Sequence, residues 1–419
     1  MKLLFLNAYF YPEVIAFSHL EQDLMEGLVN AGHSLSVICP TPSRGVSKEI
    51  SRKYTKIKHE TLNGVEVHRF RAPCEGKNPL IRAFRYFWCH FRGDMIAKRQ
   101  KDVDAVFAVS APPTQGYFAG KVAKKLGVPL IYSLQDIFPG TLISTGLVSS
   151  DRSFLYRLGS LIEKKTYERC RMIIVLSKTV HRNLIDKGVQ KEKLTTVCNW
   201  IDPDEVRPVS RADNRLFDEF HIDRNKFVAV YAGSFGISHG ADVLLYAAEK
   251  LKENTEILFV IFGAGTEYDK AKKLAEEKDL TNIRMFPLLP AERISEVYSM
   301  GDVALIIGKK MMGSVAMPSK TWSIMACNTP IIASFAPESE LAAILRESGT
   351  GICAEAEDPA ALAEAIKDAF RRRFDGKNTA ARDYVKAHAS KKVGVAKYIS
   401  CIENACKNLE TPDDGENAV

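Results

Sequence analysis

The sequence predicts an α/β protein of two similarly sized units, each a parallel β-sheet covered by helices on both faces. Short apolar runs alternate with amphipathic segments along the chain, which is the pattern of strands and helices in such sheets. The alternation restarts after about residue 205, and 419 residues suffice for two buried cores. We assign 1–205 to an N-terminal domain, 206–409 to a C-terminal domain and 410–419 to a polar, disordered tail. The last helix is expected to pack back on the first domain.

The elements of the N-terminal domain follow from the spacing of apolar residues. A helix over Ser18–Ala31 is predicted from leucines at helical spacing, with Ser18 and Glu21 forming a capping box at its start. A second helix is predicted from about Gln115 to Leu126. The predicted strands are Leu3–Asn7, Ser34–Cys39, Val65–Arg69, Ala105–Ser110, Pro129–Ser133 and 172–176.

The C-terminal domain repeats this alternation after a joint near Asn199–Pro208. Helices are predicted over Ala241–Glu253 and Tyr268–Lys278. Asp358-Pro359 marks the start of another helix, because aspartate caps a helix and proline fits its first position. The predicted strands are Phe227–Ala232, Ile257–Phe262, Ile283–Phe286, Asp302–Ile307, Pro330–Ser334 and a last short one at Cys353.

The composition narrows the class of protein. No stretch approaches the roughly 20 apolar residues that span a bilayer. The nine cysteines form no Cys-x-x-Cys pair, which is typical of a reduced, cytoplasmic protein. The histidines show no metal-ligand spacing, so we expect no bound metal. Residues 1–205 carry 30 Lys and Arg against 20 Asp and Glu, a formal charge of +10, whereas the remainder carries −3. This asymmetry predicts an anionic partner for the first half: nucleic acid, a phosphorylated substrate or an acidic membrane.

Two glycine turns follow predicted strands of the second half. Tyr231–Gly236 and Phe262–Glu267 both read as strand, glycine turn and helix, and such a turn lets backbone N–H groups approach a phosphate. The alternative for each is a plain strand-to-helix turn. The second turn lacks the third glycine and the ribose-binding acid of a dinucleotide fingerprint, so a nicotinamide dehydrogenase is rejected.

Two charged side chains stand where a ligand would meet the ends of the strands. Lys320, in Met317–Lys320, falls in a first helical turn, where a cation opposes the helix dipole and a bound anion would offset the cost. The alternative is a solvated lysine. Asp136 follows an apolar strand, so it could act as a base or bind sugar hydroxyls, whereas the commoner role of such an aspartate is a helix cap.

The segment Ile81–Lys101 is basic and aromatic, with six Lys and Arg against one acid. Such a helix can lie in a lipid interface, and the alternative is a core helix with a solvated basic face. No recognisable nucleic-acid module accompanies it, so we expect no nucleic acid as partner. The residues expected to contact an anionic membrane are Arg82, Arg85, Phe87, Trp88, Phe91 and Arg92.

An ordered set of short motifs runs along nearly the whole chain. The motifs are Tyr11-Pro-Glu13, Gly27–His33, Ser110–Gln115, Gln135–Pro139, Ile174–Ser177, Asn199–Asp202, Tyr231–Ser234, Phe262–Gly265, Met317–Lys320 and Met325–Pro330. Together they resemble glycosyltransferase family 4, whose members have the GT-B fold of two Rossmann-like domains facing across a cleft. The branch they most resemble builds capsule, O-antigen and exopolysaccharide repeat units.

The resemblance implies a metal-independent transfer with retention at the anomeric carbon. The acceptor would lie against the first domain and a nucleotide-sugar, expected to be UDP-linked, in the second, with no other cofactor. Asp136 and Lys320 are the expected catalytic residues. The expected donor-binding residues are Gly233, Ser234, Gly263, Gly265, Pro287, Leu288, Ser319, Lys320 and Ser323, with Pro287 and Leu288 beside the nucleobase.

Similar proteins of this branch also suggest the substrates: a hexosamine or 6-deoxyhexosamine donor and a lipid-linked or saccharide acceptor, used peripherally at the inner face of the cell membrane. Three departures qualify the resemblance. The two donor-site glutamates of many members correspond here to Val315 and Ser323, the usual glycine pair is replaced around Phe17-Ser18, and an Arg and a Lys after the first C-terminal strand are missing. The alternatives are a UDP-sugar 2-epimerase and a non-catalytic, membrane-docked partner of another transferase.

Overall fold

The chain folds into two compact units. The structure, a computed structural model, describes residues 1–13, 17–75, 79–140, 150, 152–236, 240, 242–314, 317–372 and 379–407. Unit one comprises Met1–Cys198 and the chain from Val395, and unit two comprises Asn199–Gly394. The predicted boundary at 205/206 falls a few residues after the point where the units divide, and the predicted tail 410–419 lies outside the described residues.

Unit one is built on an eight-stranded sheet in the order β3-β4-β2-β1-β5-β6-β7-β8. Seven strands are parallel, and their apolar residues are almost all buried, because helices cover both faces. Only β3 is antiparallel, at the outer edge beside β4. The strands are β1 Lys2–Leu6, β2 Ser34–Pro40, β3 His59–Leu62, β4 Val65–Phe70, β5 Ala105–Val109, β6 Leu130–Leu134, β7 Met172–Val175 and β8 Leu194–Thr196.

The helices of unit one connect these strands. Two helices later in this unit and the strand β8 were not predicted, and neither were α2 and β3. No residue of α2 is buried and β3 has no fully buried residue, so both lack an apolar pattern. The helices are α1 Ser18–Asn30, α2 Lys48–Tyr54, α3 Pro79–Ala97, α4 Gln115–Leu126, α5 Phe154–Arg169 and α6 Lys178–Asp186.

The predicted capping box at the start of α1 is wrong. Phe17 occupies the N-cap position and no side chain caps the helix. Glu21 points into the core instead, where it accepts a hydrogen bond of 2.8 Å from the side-chain amide of Asn7. Burial raises the pKa of Glu21 to about 7. Ser18 donates its hydroxyl hydrogen to the carbonyl oxygen of Glu13 rather than accepting from the first helical turn.

Unit two is built on a six-stranded parallel sheet in the order β11-β10-β9-β12-β13-β14. The predicted strands are found with shifts of one or two residues at their ends, because their apolar side chains form the core of this unit. The strands are β9 Phe227–Ser234, β10 Ile257–Ala264, β11 Ile283–Pro287, β12 Val303–Ile307, β13 Ile331–Ser334 and β14 Gly351–Ala354.

The helices of unit two include the one predicted at Asp358-Pro359, where the Asp358 carboxylate accepts hydrogen bonds from the N–H groups of Ala360 and Ala361. The last helix, α15, begins in unit two and ends in unit one. The helices are α7 Leu216–Glu219, α8 Asp242–Lys250, α9 Tyr268–Glu277, α10 Ile294–Ser299, α11 Lys320–Ala326, α12 Glu340–Ser348, α13 Pro359–Arg372, α14 Ala380–His388 and α15 Lys391–Lys407.

The part of α15 that belongs to unit one packs on the sheet of that unit. Tyr398 is fully buried and its hydroxyl group lies 3.0 Å from the hydroxyl oxygen of Ser133 on β6. Val395 lies against Gly27 of α1, at a distance that a side chain on residue 27 would not allow. Among the described residues, no helix is both long and apolar enough to cross a membrane.

Candidate active site

The two glycine turns of unit two lie side by side at the carboxyl edge of its sheet. Because β9 and β10 are parallel neighbours, Gly233 pairs in register with Gly263, and Ser234 with Ala264. Ligands of open α/β sheets bind outside this edge. The structure therefore brings the predicted donor-binding residues of both turns to one place.

Phe235 belongs to the first turn and packs against the glycines of the second. A Cβ atom on Gly263 would lie 2.7 Å from the rings of both Phe235 and Tyr268. Gly265 has a positive φ of 131° and its backbone closely approaches the Phe235 carbonyl oxygen. Only glycine fits at these two positions, because a side chain would overlap Phe235 or Tyr268.

Lys320 is the first residue of α11, and its side chain reaches over Gly233. Its ammonium nitrogen, Nζ, lies 4.3 Å from the centroid of the Tyr231 ring, a cation–π geometry. The nitrogen is buried, and it has no hydrogen-bond partner among the described residues. Burial lowers the pKa of Lys320 to about 8. A cation is thus held at the glycine turn with no counter-charge from the described part of the chain, and an anionic ligand would supply one.

The other predicted donor-binding residues lie on α11 or at the end of β11, the strand next to β10. Ser319 is the N-cap of α11 and does not use its side chain to cap it, and Ser323 lies one turn further along. Pro287 ends β11 in register with Gly263, and the N–H group of Leu288 donates to the Gly263 carbonyl oxygen at 3.1 Å. Val315, which replaces a family glutamate, lies outside the described residues.

Asp136 lies in unit one, just after β6 at the carboxyl edge of that sheet. The hydroxyl oxygen of Ser110, which follows β5, accepts hydrogen bonds from the backbone N–H groups of Gln135 and Asp136 at 2.9 and 3.3 Å. Asp136 is exposed, but the surrounding protein partly desolvates its carboxylate and thereby raises its pKa. A carboxylate with a raised pKa at a strand end suits a general base.

The predicted membrane-contact segment forms helix α3. Phe84, Phe87 and Phe91 lie on one face and are 56%, 63% and 51% exposed; we call these three residues the aromatic row. Arg82 is also exposed and pairs with Glu75 at 3.4 Å. The prediction that Arg85 contacts the membrane is wrong. Arg85 is 1% exposed, and its guanidinium group donates to the carbonyl oxygen of Pro73 inside unit one.

Sequence reasoning missed two features of these edges. The ring of Tyr231 lies beneath the Lys320 ammonium. The Tyr231 hydroxyl group donates to the Ser234 carbonyl oxygen at 3.0 Å. Glu13 is buried and accepts hydrogen bonds from the N–H groups of Ser43 and Arg44, which hold the loop after β1 against the loop after β2. Both residues lie in motifs that the sequence analysis singled out, but the motifs do not predict these contacts.

Comparison with known proteins agrees with this architecture. Residues 22–205 match the family model described as Glycosyltransferase Family 4, and residues 213–388 match Glycosyl transferases group 1. The Escherichia coli (strain K12) protein named colanic acid biosynthesis glycosyl transferase WcaI is 23% identical over 413 residues, which is 96% of this chain and 100% of WcaI.

Two solved structures are similar over almost their full length. Sucrose-phosphate synthase from Thermosynechococcus elongatus superposes with a TM-score of 0.74 at 16% identity, covering 97% of this chain and 100% of that protein. Anabaena HepE in complex with UDP and glucose gives 0.69 at 14% identity, covering 96% and 100%. The predicted fold is thereby confirmed, and the chain belongs to glycosyltransferase family 4, as a glycosyltransferase with the GT-B fold.

Proposed function

We propose that this glycosyltransferase transfers a sugar from a nucleoside-diphosphate donor, held at the carboxyl edge of unit two, to an acceptor in bacterial surface polysaccharide synthesis. The observation that carries the proposal is the buried ammonium of Lys320 over the glycine turn, which has no hydrogen-bond partner among the described residues. A diphosphate placed there would be paired with the ammonium and would restore the charged state that burial disfavours.

In the proposed reaction, the bond between the anomeric carbon and a diphosphate oxygen breaks, and the nucleoside diphosphate leaves with the electron pair. The acceptor hydroxyl oxygen forms the new bond on the same face of the sugar, with retention, and Asp136 accepts its proton. Lys320 stabilises the charge that develops on the leaving diphosphate, so no metal ion is needed for that role. The expected role of Asp136 is supported by its raised pKa.

The nature of the donor and the acceptor is suggested by the related proteins. HepE was solved with UDP, and WcaI is named for the synthesis of colanic acid, a polysaccharide. HepE supports a UDP-linked donor. The choice of a hexosamine or 6-deoxyhexosamine as the sugar, and of a lipid-linked saccharide as the acceptor, rests on the resemblance to the branch that builds surface polysaccharides. The aromatic row of α3 supports a peripheral position on the inner face of the membrane, because exposed aromatic side chains favour the lipid interface.

The test is a calorimetric titration of the purified protein with UDP-, GDP- and dTDP-sugars in the absence of metal. We expect micromolar binding of one nucleotide class, lost in Lys320→Ala and retained in Lys273→Ala, which removes an exposed lysine of α9 in the same unit. Equal binding by the parent and the Lys320→Ala variant would refute the assigned diphosphate site. A folded parent that binds none of the sugars would instead support the non-catalytic alternative.

A further inference from the structure

Unit one contains a second candidate site, a groove of about 720 Å³ between α3 and the outer edge of the sheet. It lies apart from the strand-end position of Asp136, on the side of β4 and of the turn before β3. We call it the basic groove. Its lining includes the aromatic side chains of Tyr54 and Trp88 and several cationic side chains.

The lining of the basic groove is strongly cationic, since it includes five Lys and Arg, two His and no carboxylate. The charge of Arg69 is neutralised by the Glu60 carboxylate at 2.6 Å. The other four cations form no ion pair within the part of the chain that the structure describes. Like charges gathered in one concave surface repel each other and concentrate the positive potential there. Those four cations are Lys58, Arg71, Arg92 and Arg99.

The walls of the basic groove are fixed and partly aromatic. The indole N–H of Trp88 donates to the Arg71 carbonyl oxygen at 2.9 Å, which holds the Trp88 ring against the groove. The Arg69 guanidinium stacks over the ring of Tyr54, 4.6 Å from its centroid. The Trp88 ring also stacks with Phe84 of the aromatic row, with centroids 6.5 Å apart. The basic groove therefore opens directly beside the exposed aromatic face of α3.

We propose that the basic groove binds the phosphate or diphosphate group of a ligand. Guanidinium groups match phosphate oxygens in shape and charge, and three of the four unpaired cations are arginines. The volume is in the range of sites for small ligands rather than single ions. The diphosphate can belong to a lipid-linked acceptor or to a soluble phosphorylated molecule. The lipid source rests on the proposed function, because it requires a lipid-linked acceptor.

The experiment titrates inorganic pyrophosphate into the full chain by calorimetry at low salt. Because pyrophosphate can also bind at Lys320, all proteins carry Lys320→Ala. The test variant is Arg92→Gln with Arg99→Gln. The matched control is Lys178→Gln with Lys191→Gln, which removes two exposed cations near the opposite edge of the same sheet. We expect the affinity to fall about ten- to hundredfold in the test variant and to stay unchanged in the control.

Equal pyrophosphate affinity in the test variant and its control would overturn the proposal, whatever the result of the donor titration, since that titration probes unit two alone. The source of the phosphate is then decided with phosphatidylcholine vesicles that contain either polyprenyl diphosphate or phosphatidylglycerol at matched charge. Tighter binding to the polyprenyl diphosphate vesicles, lost in the test variant, assigns the groove to a lipid diphosphate. Equal binding of the parent to both kinds of vesicle, unchanged in the test variant, excludes a lipid diphosphate as the ligand of the groove and leaves a soluble phosphorylated molecule as the source.

Discussion

Replacing Lys320 with methionine is expected to stabilise the ligand-free protein while abolishing donor binding. The fall in the pKa of Lys320 from 10.5 to about 8 corresponds to about 3 kcal/mol of disfavoured charge in the folded state. The lost cation–π contact with Tyr231 offsets about 1–2 kcal/mol of that gain, and the methionine sulfur keeps a weaker contact with the ring. The free energy of unfolding should therefore rise by about 1–2 kcal/mol near neutral pH.

The increase in the free energy of unfolding should also depend on pH, because its cause is the disfavoured charge of Lys320. Between pH 8 and 10.5, the folded parent binds fewer protons at Lys320 than the unfolded chain does, so the free energy of unfolding of the parent rises with pH. The methionine variant has no such group. The difference in stability between the two proteins should accordingly be constant below pH 8 and should shrink as the pH approaches 10.5.

Urea unfolding followed by circular dichroism, at about pH 7.5 and about pH 9.5, measures this difference. Lys273→Met, which removes an exposed lysine of α9, should change stability by less than about 0.5 kcal/mol at either pH. A methionine variant less stable than the parent at neutral pH, or a gain that persists unchanged at the higher pH, would refute the interpretation that burial disfavours the charge of Lys320.

Three further variants test the site and the membrane surface. Gly233→Val places a side chain where the Lys320 ammonium lies and should weaken donor binding at least about tenfold by calorimetry; unchanged affinity would contradict the geometry of the turn. Asp136→Asn should slow sugar transfer in an activity assay and leave donor affinity as in the parent. Because the pKa of Asp136 is raised, the activity of the parent should fall with decreasing pH before the usual pKa of an aspartate is reached. A variant with full activity would reduce Asp136 to a structural role. Phe87→Ser with Phe91→Ser should weaken binding to anionic vesicles about tenfold or more, whereas Ile185→Ser on α6 should not; equal binding of both variants would exclude the aromatic row as a membrane contact.

Much of the fold could be predicted from the sequence, because buried parallel strands are apolar along their whole length. The strands of unit two, such as Phe227–Ser234 and Val303–Ile307, differ from the prediction by no more than two residues at either end. The edge strand β3 escaped prediction because His59–Leu62 alternates between exposed and half-buried residues and has only one apolar member. The Ser18–Glu21 pattern was misread because the same spacing allows Glu21 to turn inward to Asn7.

The candidate site was predictable in its parts but not in its contacts. Strand-end glycines and Lys320 stand out in the sequence, since parallel strands bring their carboxyl ends together. That the Lys320 ammonium has no described partner and lies over Tyr231 depends on tertiary packing of segments about 90 residues apart in the sequence. The basic groove was signalled only as an excess of positive charge, because Lys58, Arg71, Arg92 and Arg99 come from separate segments that the fold brings together.

The course of the last helix determines how this protein can be divided in the laboratory. The polypeptide passes from unit one to unit two at Asn199 and returns at Val395, so two covalent crossings join the units. A fragment ending at Cys198 would lack Tyr398 and Val395, and its sheet and α1 would expose the apolar surface that these residues cover. Expression of unit one alone therefore calls for a circular permutation, or for a linker that replaces unit two and keeps α15.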